Sequence, residues 1–138
     1  MNRKQKLKQK IELQGTLRSV SYLRYSDHKQ DGGTSIETQK DAYDAYVNEK
    51  GYIHVADYID EAKSASKNIV GRENFIRLLE DAKRGLFDIV LIFKFSRVFR
   101  NQYEAHFYEH ELAKHGVKLV SVTEPIEDTI EGKLMKGV

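Results

Sequence analysis

Short apolar runs rich in β-branched residues alternate along this chain with longer stretches whose apolar residues recur every three or four positions, and Gly or polar turn residues close each run. This alternation constrains the fold more than any other feature, because strand followed by helix is the repeating unit of a parallel sheet wrapped by helices. Residues 19 to 25 (SVSYLRY), 52 to 59 (YIHVADYI), 88 to 93 (DIVLIF) and 117 to 123 (VKLVSVT) read as four strands. The third is nearly continuously apolar, as a strand buried on both faces must be.

The intervals between them carry helical periodicity. A helix is predicted from about Ser35 to Lys50, with Thr34 and Glu37 as a capping box and Gly51 after its end. Its apolar stripe is Ile36, Ala42, Tyr43, Tyr46 and Val47, and Gln39 sits on that same stripe, where a polar amide needs a partner. Residues 72 to 84 form a second helix with Phe75, Leu78, Leu79 and Ala82 inward, and about Asn101 to His115 a third with Ala105, Tyr108 and Leu112 aligned. The expected fold class is α/β: three layers, α/β/α, around a mostly parallel sheet of four to five strands with flavodoxin-like topology.

The chain has 138 residues, 40% of them apolar, which suits one domain with one core. Its mean hydropathy of -0.61, with no apolar run near the roughly 20 residues of a membrane span, predicts a soluble cytoplasmic protein. Cysteine is absent, which removes disulfide frameworks, thiolate metal sites and thiol nucleophiles and leaves hydroxyl, amine, carboxylate and imidazole chemistry. The formal charge of +2 conceals an uneven distribution: the first 18 residues hold six Lys/Arg against the lone acid Glu12, so the rest is net negative. Nucleic-acid binding would need a local cluster of cations or a further basic domain. Residues 1 to 16 read as a basic flexible tail, 17 to 128 as the globular domain, and 129 to 138 as the start of a long helix in a larger protein.

In open parallel sheets the functional crevice lies beyond the carboxyl ends of the strands. Those ends carry Arg24-Tyr25-Ser26, Asp60-Glu61, Lys94-Phe95-Ser96-Arg97-Val98-Phe99-Arg100 and Thr123-Glu124. Arg97 and Arg100 flank a strand-to-helix junction, and residues 89 to 103 contain no acid. Clustered arginines usually face a phosphate or carboxylate, and a hydroxyl beside them suits phosphoryl transfer. The alternative is an ordinary ion-pair network in which these arginines engage Asp60, Glu61 or Glu124.

The string Tyr22-Leu23-Arg24-Tyr25-Ser26, followed by Gly33-Thr34-Ser35-Ile36-Glu37-Thr38-Gln39, resembles the N-terminal signature of the serine recombinases, the resolvase/invertase family that includes large serine integrases and transposase-like members. Further matches follow in order: Tyr58-Ile59-Asp60-Glu61 with Ser64, Arg72 before Phe75, Phe87-Asp88-Ile89-Val90, Arg97-x-x-Arg100, and Gly116-Val117-x-Leu119. The resemblance implies a resolvase-like fold and site-specific recombination, with both strands of duplex DNA cut at a crossover site through 5'-phosphoserine links. It implies Ser26 as nucleophile, Arg24, Arg72, Arg97 and Arg100 around the scissile phosphate, and Gln39 and Ser96 in support. It further implies DNA contacts at Lys94, Gln30, Lys133 and Lys136, no metal, ATP or other cofactor, and a homodimer to homotetramer of the full-length protein associated with the nucleoid. The separate chain would be a monomer or weak dimer. Two positions depart from the family pattern: Ser96 stands where an Asp usually precedes the arginine pair, and Asp27 where a Thr usually follows the serine.

Three rival readings remain. His106-Phe107-Tyr108-Glu109-His110 fits H-x-x-E-H, the inverted zinc-peptidase pattern. A flavodoxin-like binding or receiver domain would share the alternation, although no Gly-rich phosphate loop follows the first strand. The recombinase fold could also persist as a catalytically impaired assembly module. His28, His54 and His115 have no evident partners in the sequence, and most of the eight tyrosines read as packing residues.

Overall fold

The computed structural model describes residues 2–5, 16–26, 35–62 and 72–124. Four strands, β1 (Arg18–Ser26), β2 (Ile53–Ala62), β3 (Ile89–Ile92) and β4 (Lys118–Ser121), form one parallel sheet in the order β2-β1-β3-β4. Helices α1 (Ile36–Lys50), α2 (Glu73–Lys83) and α4 (Gln102–Ala113) connect them, and a single-turn helix, α3 (Phe95–Val98), precedes α4.

Strand alternation divides the core in two. Val20 and Tyr22 of β1, with Val90 and Ile92 of β3, pack against Phe75, Leu78 and Ala82 of α2 and Ala105 and Leu112 of α4. Leu23, Ile89 and Leu91 point the other way, onto Tyr43 of α1. The expected three-layer α/β/α arrangement therefore stands, with β3 buried along its whole length.

The chain winds outward from β1 in both directions, first to β2 and then back across β1 to β3 and β4. The winding reverses between β1 and β3, the place beyond whose strand ends open parallel sheets generally bind their ligands. Topology thus brings the end of β1 beside the segment that leaves β3.

Several boundaries differ from the sequence reading. β2 continues through Ala62 and includes Asp60 and Glu61, because pairing with β1 extends to Ser26 opposite Ala62. The N-cap of α1 is Ser35, whose hydroxyl accepts the Thr38 N–H at 3.1 Å, so the Thr34–Glu37 box is displaced by one residue. At the other end Gly51 takes φ +73° and donates its N–H to the Val47 carbonyl. The single turn of α3 was not expected. Of the tail expected over residues 1 to 16, only 2–5 and 16 are among the described residues, and the proposed start of a long helix (129–138) lies outside them.

His54 does have partners. Register shifts by one residue after the Ser19–His54 pair, so that Val20 sits opposite Ala56 and Val55 is the extra residue of a bulge. The shift sets His54 and Asp57 beside the serines of β1: Ser19 Oγ lies 2.9 Å from His54 Nδ1, His54 Nε2 lies 2.8 Å from Asp57, and the Ser21 hydroxyl donates to Asp57. Burial raises the Asp57 pKa, but the hydrogen bonds from Ser21 and His54 outweigh it and hold the carboxyl below its ordinary value.

The amino ends of three strands meet at Asp88, whose side chain is 0% exposed. Its carboxylate accepts the Arg18 backbone N–H at 2.9 Å and the Arg18 guanidinium at 3.2 and 3.3 Å. Its own backbone N–H donates to the Arg18 carbonyl and its carbonyl accepts the Lys118 N–H, both at 2.9 Å. Asp88→Ala strands the Arg18 donors and is expected to cost about 2–3 kcal/mol in denaturant unfolding, with no change in secondary structure by circular dichroism. Because the Asp57 pKa is lowered on folding, its contribution is present above the ordinary aspartate pKa and vanishes as pH falls through the folded value. Asp57→Asn should flatten the acid limb of the stability–pH curve, by well under about 1 kcal/mol at this half-exposed position.

Candidate active site

β1 runs into the crevice as Arg24-Tyr25-Ser26, with Ser26 its last residue. The Tyr22 hydroxyl donates to Asp60 Oδ2 at 2.7 Å. The same carboxylate accepts the backbone N–H groups of Asn74 and Phe75 at 2.9 Å each, so a residue of β2 caps the amino end of α2. Asn74 Nδ2 closes the bracket by donating to the Ile59 carbonyl at 2.7 Å. Arg72, the residue just before α2, is fixed by this junction.

Burial raises the Tyr22 pKa most, Asp60 raises it further through the hydrogen bond and its charge, and the charges of Arg24 and Arg72 pull it down. Both guanidiniums therefore lie within electrostatic reach of one phenol. Under them runs an aromatic floor: Phe75 meets Tyr22, Tyr108 and Phe99 with ring centroids 5.0, 5.1 and 6.1 Å apart, and the Arg72 guanidinium sits 6.0 Å from the Phe75 centroid.

The segment after β3 is anchored by Val98 and Phe99, which are buried, while Lys94, Ser96 and Arg100 are exposed and Arg97 is partly so. Arg72 reaches it directly, donating from Nη2 to the Val98 carbonyl at 2.7 Å. The structure thus joins Arg72 to the turn that bears Arg97 and Arg100, and the charges of Arg24 and Arg72 both act on Tyr22. Lys94 is the N-cap of α3, and Ser96 lies within that helix. Gln30, Lys133 and Lys136 lie outside the described residues.

Gln39 is 2% exposed, and its Nε2 has no hydrogen-bond partner. Its place follows from α1 running antiparallel to β1. One turn further along α1 the Tyr43 hydroxyl donates to the Tyr22 carbonyl at 2.8 Å. A helical turn and two strand residues each advance roughly 6 Å, which sets Gln39 level with Arg24. Arg24 Nε is likewise buried and unpartnered. Both are buried donors without acceptors, an uncommon feature, and each suits an acceptor brought by a ligand.

Two of the three acids named for the alternative ion-pair network have other partners. Asp60 engages Tyr22 and backbone N–H groups, and Glu124 accepts the Phe95 N–H at 3.1 Å and the Ser121 hydroxyl at 2.5 Å. The acid the sequence reading overlooked is Glu104, one residue beyond the acid-free window. It accepts the Arg100 N–H at 3.0 Å and approaches Arg72 Nη2 at 3.6 Å. Its signal was present as Asn101-x-x-Glu104, a cap pattern in which Asn101 accepts the Glu104 N–H at 2.8 Å.

The H-x-x-E-H string divides between two surfaces, since His106 and His110 are exposed while Glu109 is 7% exposed and faces inward. Among the described residues no helix is long and apolar enough to cross a membrane.

The profile of the family described as Resolvase, N terminal domain matches residues 19–138. No curated protein matches the chain. Similar solved structures include a resolvase family site-specific recombinase from Streptococcus pneumoniae, 28% identical with TM-score 0.69 over 88% of this chain and 85% of that one. The N-terminal catalytic domain of TP901-1 integrase is 24% identical with TM-score 0.66, over 86% and 87%. The C-terminal catalytic domain of ISC1926 TnpA, an IS607-like serine recombinase, is 27% identical with TM-score 0.59, over 77% and 70%. The fold is resolvase-like.

An unpartnered buried amide destabilises the free protein, so Gln39→Met, close in shape and without the amide, should raise stability by about 1 kcal/mol in urea unfolding.

Proposed function

Because the chain belongs to the resolvase family, we propose that it is the catalytic part of a serine recombinase that cuts and rejoins duplex DNA through a phosphoserine link at Ser26. The observation that carries this reading is that Arg24 Nε, two residues before Ser26 at the end of β1, and Gln39 Nε2 of α1 are buried donors without partners. A phosphodiester offers the oxygen acceptors those donors lack.

In the proposed step the Ser26 oxygen, losing its proton, attacks phosphorus in line with the 3'-oxygen. The serine–phosphorus bond forms as the bond to the 3'-oxygen breaks, and that oxygen leaves with the electron pair and takes up a proton. The 5'-phosphate stays on the protein. Attack by a 3'-hydroxyl on this ester reverses the step and rejoins DNA, so the link itself conserves the bond energy and no ATP is consumed. Arg24, Arg72, Arg97 and Arg100 stabilise charge on the non-bridging oxygens, with Gln39 and Ser96 hydrogen-bonding beside them. Lys94, with Gln30, Lys133 and Lys136, would hold flanking DNA. Exchange of half-sites calls for a homodimer to homotetramer of the complete protein at one crossover sequence, in the nucleoid.

Covalent trapping tests the reading. Full-length protein is incubated with duplex DNA from the ends of the element that encodes it, denatured, and the adduct mapped by mass spectrometry. DNA attached at Ser26, absent in Ser26→Ala, is the expected result. Arg24→Ala or Arg72→Ala should slow adduct formation about 10²–10³-fold with the fold intact. DNA binding without any adduct would overturn the catalytic reading in favour of an assembly module.

A further inference from the structure

We propose that Glu104 is a positioning residue that sets Arg72 against the turn bearing Arg97 and Arg100. The proposal rests on the recombinase reading above for the role of the arginines.

Glu104 is held firmly before it holds anything else. It is the third residue of α4, its N–H is capped by Asn101 Oδ1 at 2.8 Å, and its side chain turns back so that Oε1 accepts the Arg100 N–H at 3.0 Å. That same oxygen lies 3.6 Å from Arg72 Nη2, which donates at 2.7 Å to the Val98 carbonyl. One carboxylate oxygen therefore ties the β2–α2 junction to the α3–α4 junction. Val98, which receives the Arg72 hydrogen bond, lies between Arg97 and Arg100 in sequence. A displaced Arg72 would change its spacing from both of them.

The contact is also placed where charge counts. The Arg72 and Glu104 side chains are only 16% and 26% exposed, so water screens the pair less than a surface pair. A neutral acceptor could serve the Arg100 N–H equally well. A carboxylate attracts the guanidinium much more strongly than an amide oxygen does, and this separates the positioning role from the cap.

The test compares Glu104→Gln and Glu104→Ala with the parent, as full-length protein. Gln keeps an oxygen for the Arg100 N–H, so Glu104→Gln should melt with the parent while Glu104→Ala melts lower. In the DNA-free protein the Arg72 Nε–Hε resonance, assigned with Arg72→Lys, should shift in Glu104→Gln. With DNA, adduct formation by Glu104→Gln should slow about tenfold at unchanged DNA affinity, because the arginine still binds phosphate but is misaligned. An unmoved Arg72 resonance, or adduct formed at the parental rate, would overturn the proposal. Melting of Glu104→Gln as low as that of Glu104→Ala would overturn it as well, because a slower adduct would then reflect lost folding stability and not a misaligned Arg72. Should the parent itself give no adduct, the recombinase reading fails, and the Arg72 resonance alone decides whether Glu104 holds that guanidinium.

Discussion

The carboxylate of Asp60 is the constraint on which the candidate site depends. Lying at the end of β2, it receives the Tyr22 hydroxyl from β1 and two backbone N–H groups from the first turn of α2. A buried carboxylate is tolerated only when its oxygens are hydrogen-bonded, and these three donors satisfy both of them. In doing so they lock the register of β1 against β2 and fix where α2 begins. Arg24 lies two residues after Tyr22, and Arg72 immediately precedes α2. The positions of two guanidiniums thus follow from one interaction that involves neither.

Around that bracket the structure departs from the rule that buried polar groups are paired. Gln39 lies on a helix face where an aliphatic residue would pack, and Arg24 Nε lies under the strand end with no acceptor. Tyr43, one turn away on the same helix, shows that a buried polar group can be satisfied here, since its hydroxyl finds the Tyr22 carbonyl. The contrast marks Gln39 as the exception in a well-satisfied region. Local inconsistency of this kind in an otherwise consistent fold is the physical signature expected of a functional position.

Much of this was legible in the sequence, and the misses have specific causes. Strand β3 was readable because burial on both faces leaves an uninterrupted apolar run, and the inward faces of α2 and α4 because their periodicity is long enough to register. The end of β2 was not, since Asp60 and Glu61 belong to the strand by pairing with β1 and not by composition. Helix α3 is one turn, too short for a period. Ser35 and Thr34 are adjacent hydroxyls that both suit an N-cap, and only backbone geometry distinguishes them. The partners of His54 depend on the bulge at Val55, which moves side chains between faces and leaves no mark in an alternating pattern. Arg24 was legible as a strand-end cation and Gln39 as a polar residue on an apolar stripe, whereas Arg72 was singled out through family resemblance, because the groups that position it are far apart in the chain.

The acids near the crevice explain how a net-negative body can present a cationic site. Asp60 accepts the Asn74 and Phe75 N–H groups, and Glu124 the Phe95 N–H. Each faces unpaired backbone donors where a helix begins, and there a carboxylate offsets the partial positive charge of the helix end. An acid held in this way is less available to neutralise a guanidinium across the crevice. Helix starts therefore sequester negative charge at the very strand ends where the arginines emerge. The local field is then set by which charges the backbone has already engaged, and formal net charge is a poor guide to it.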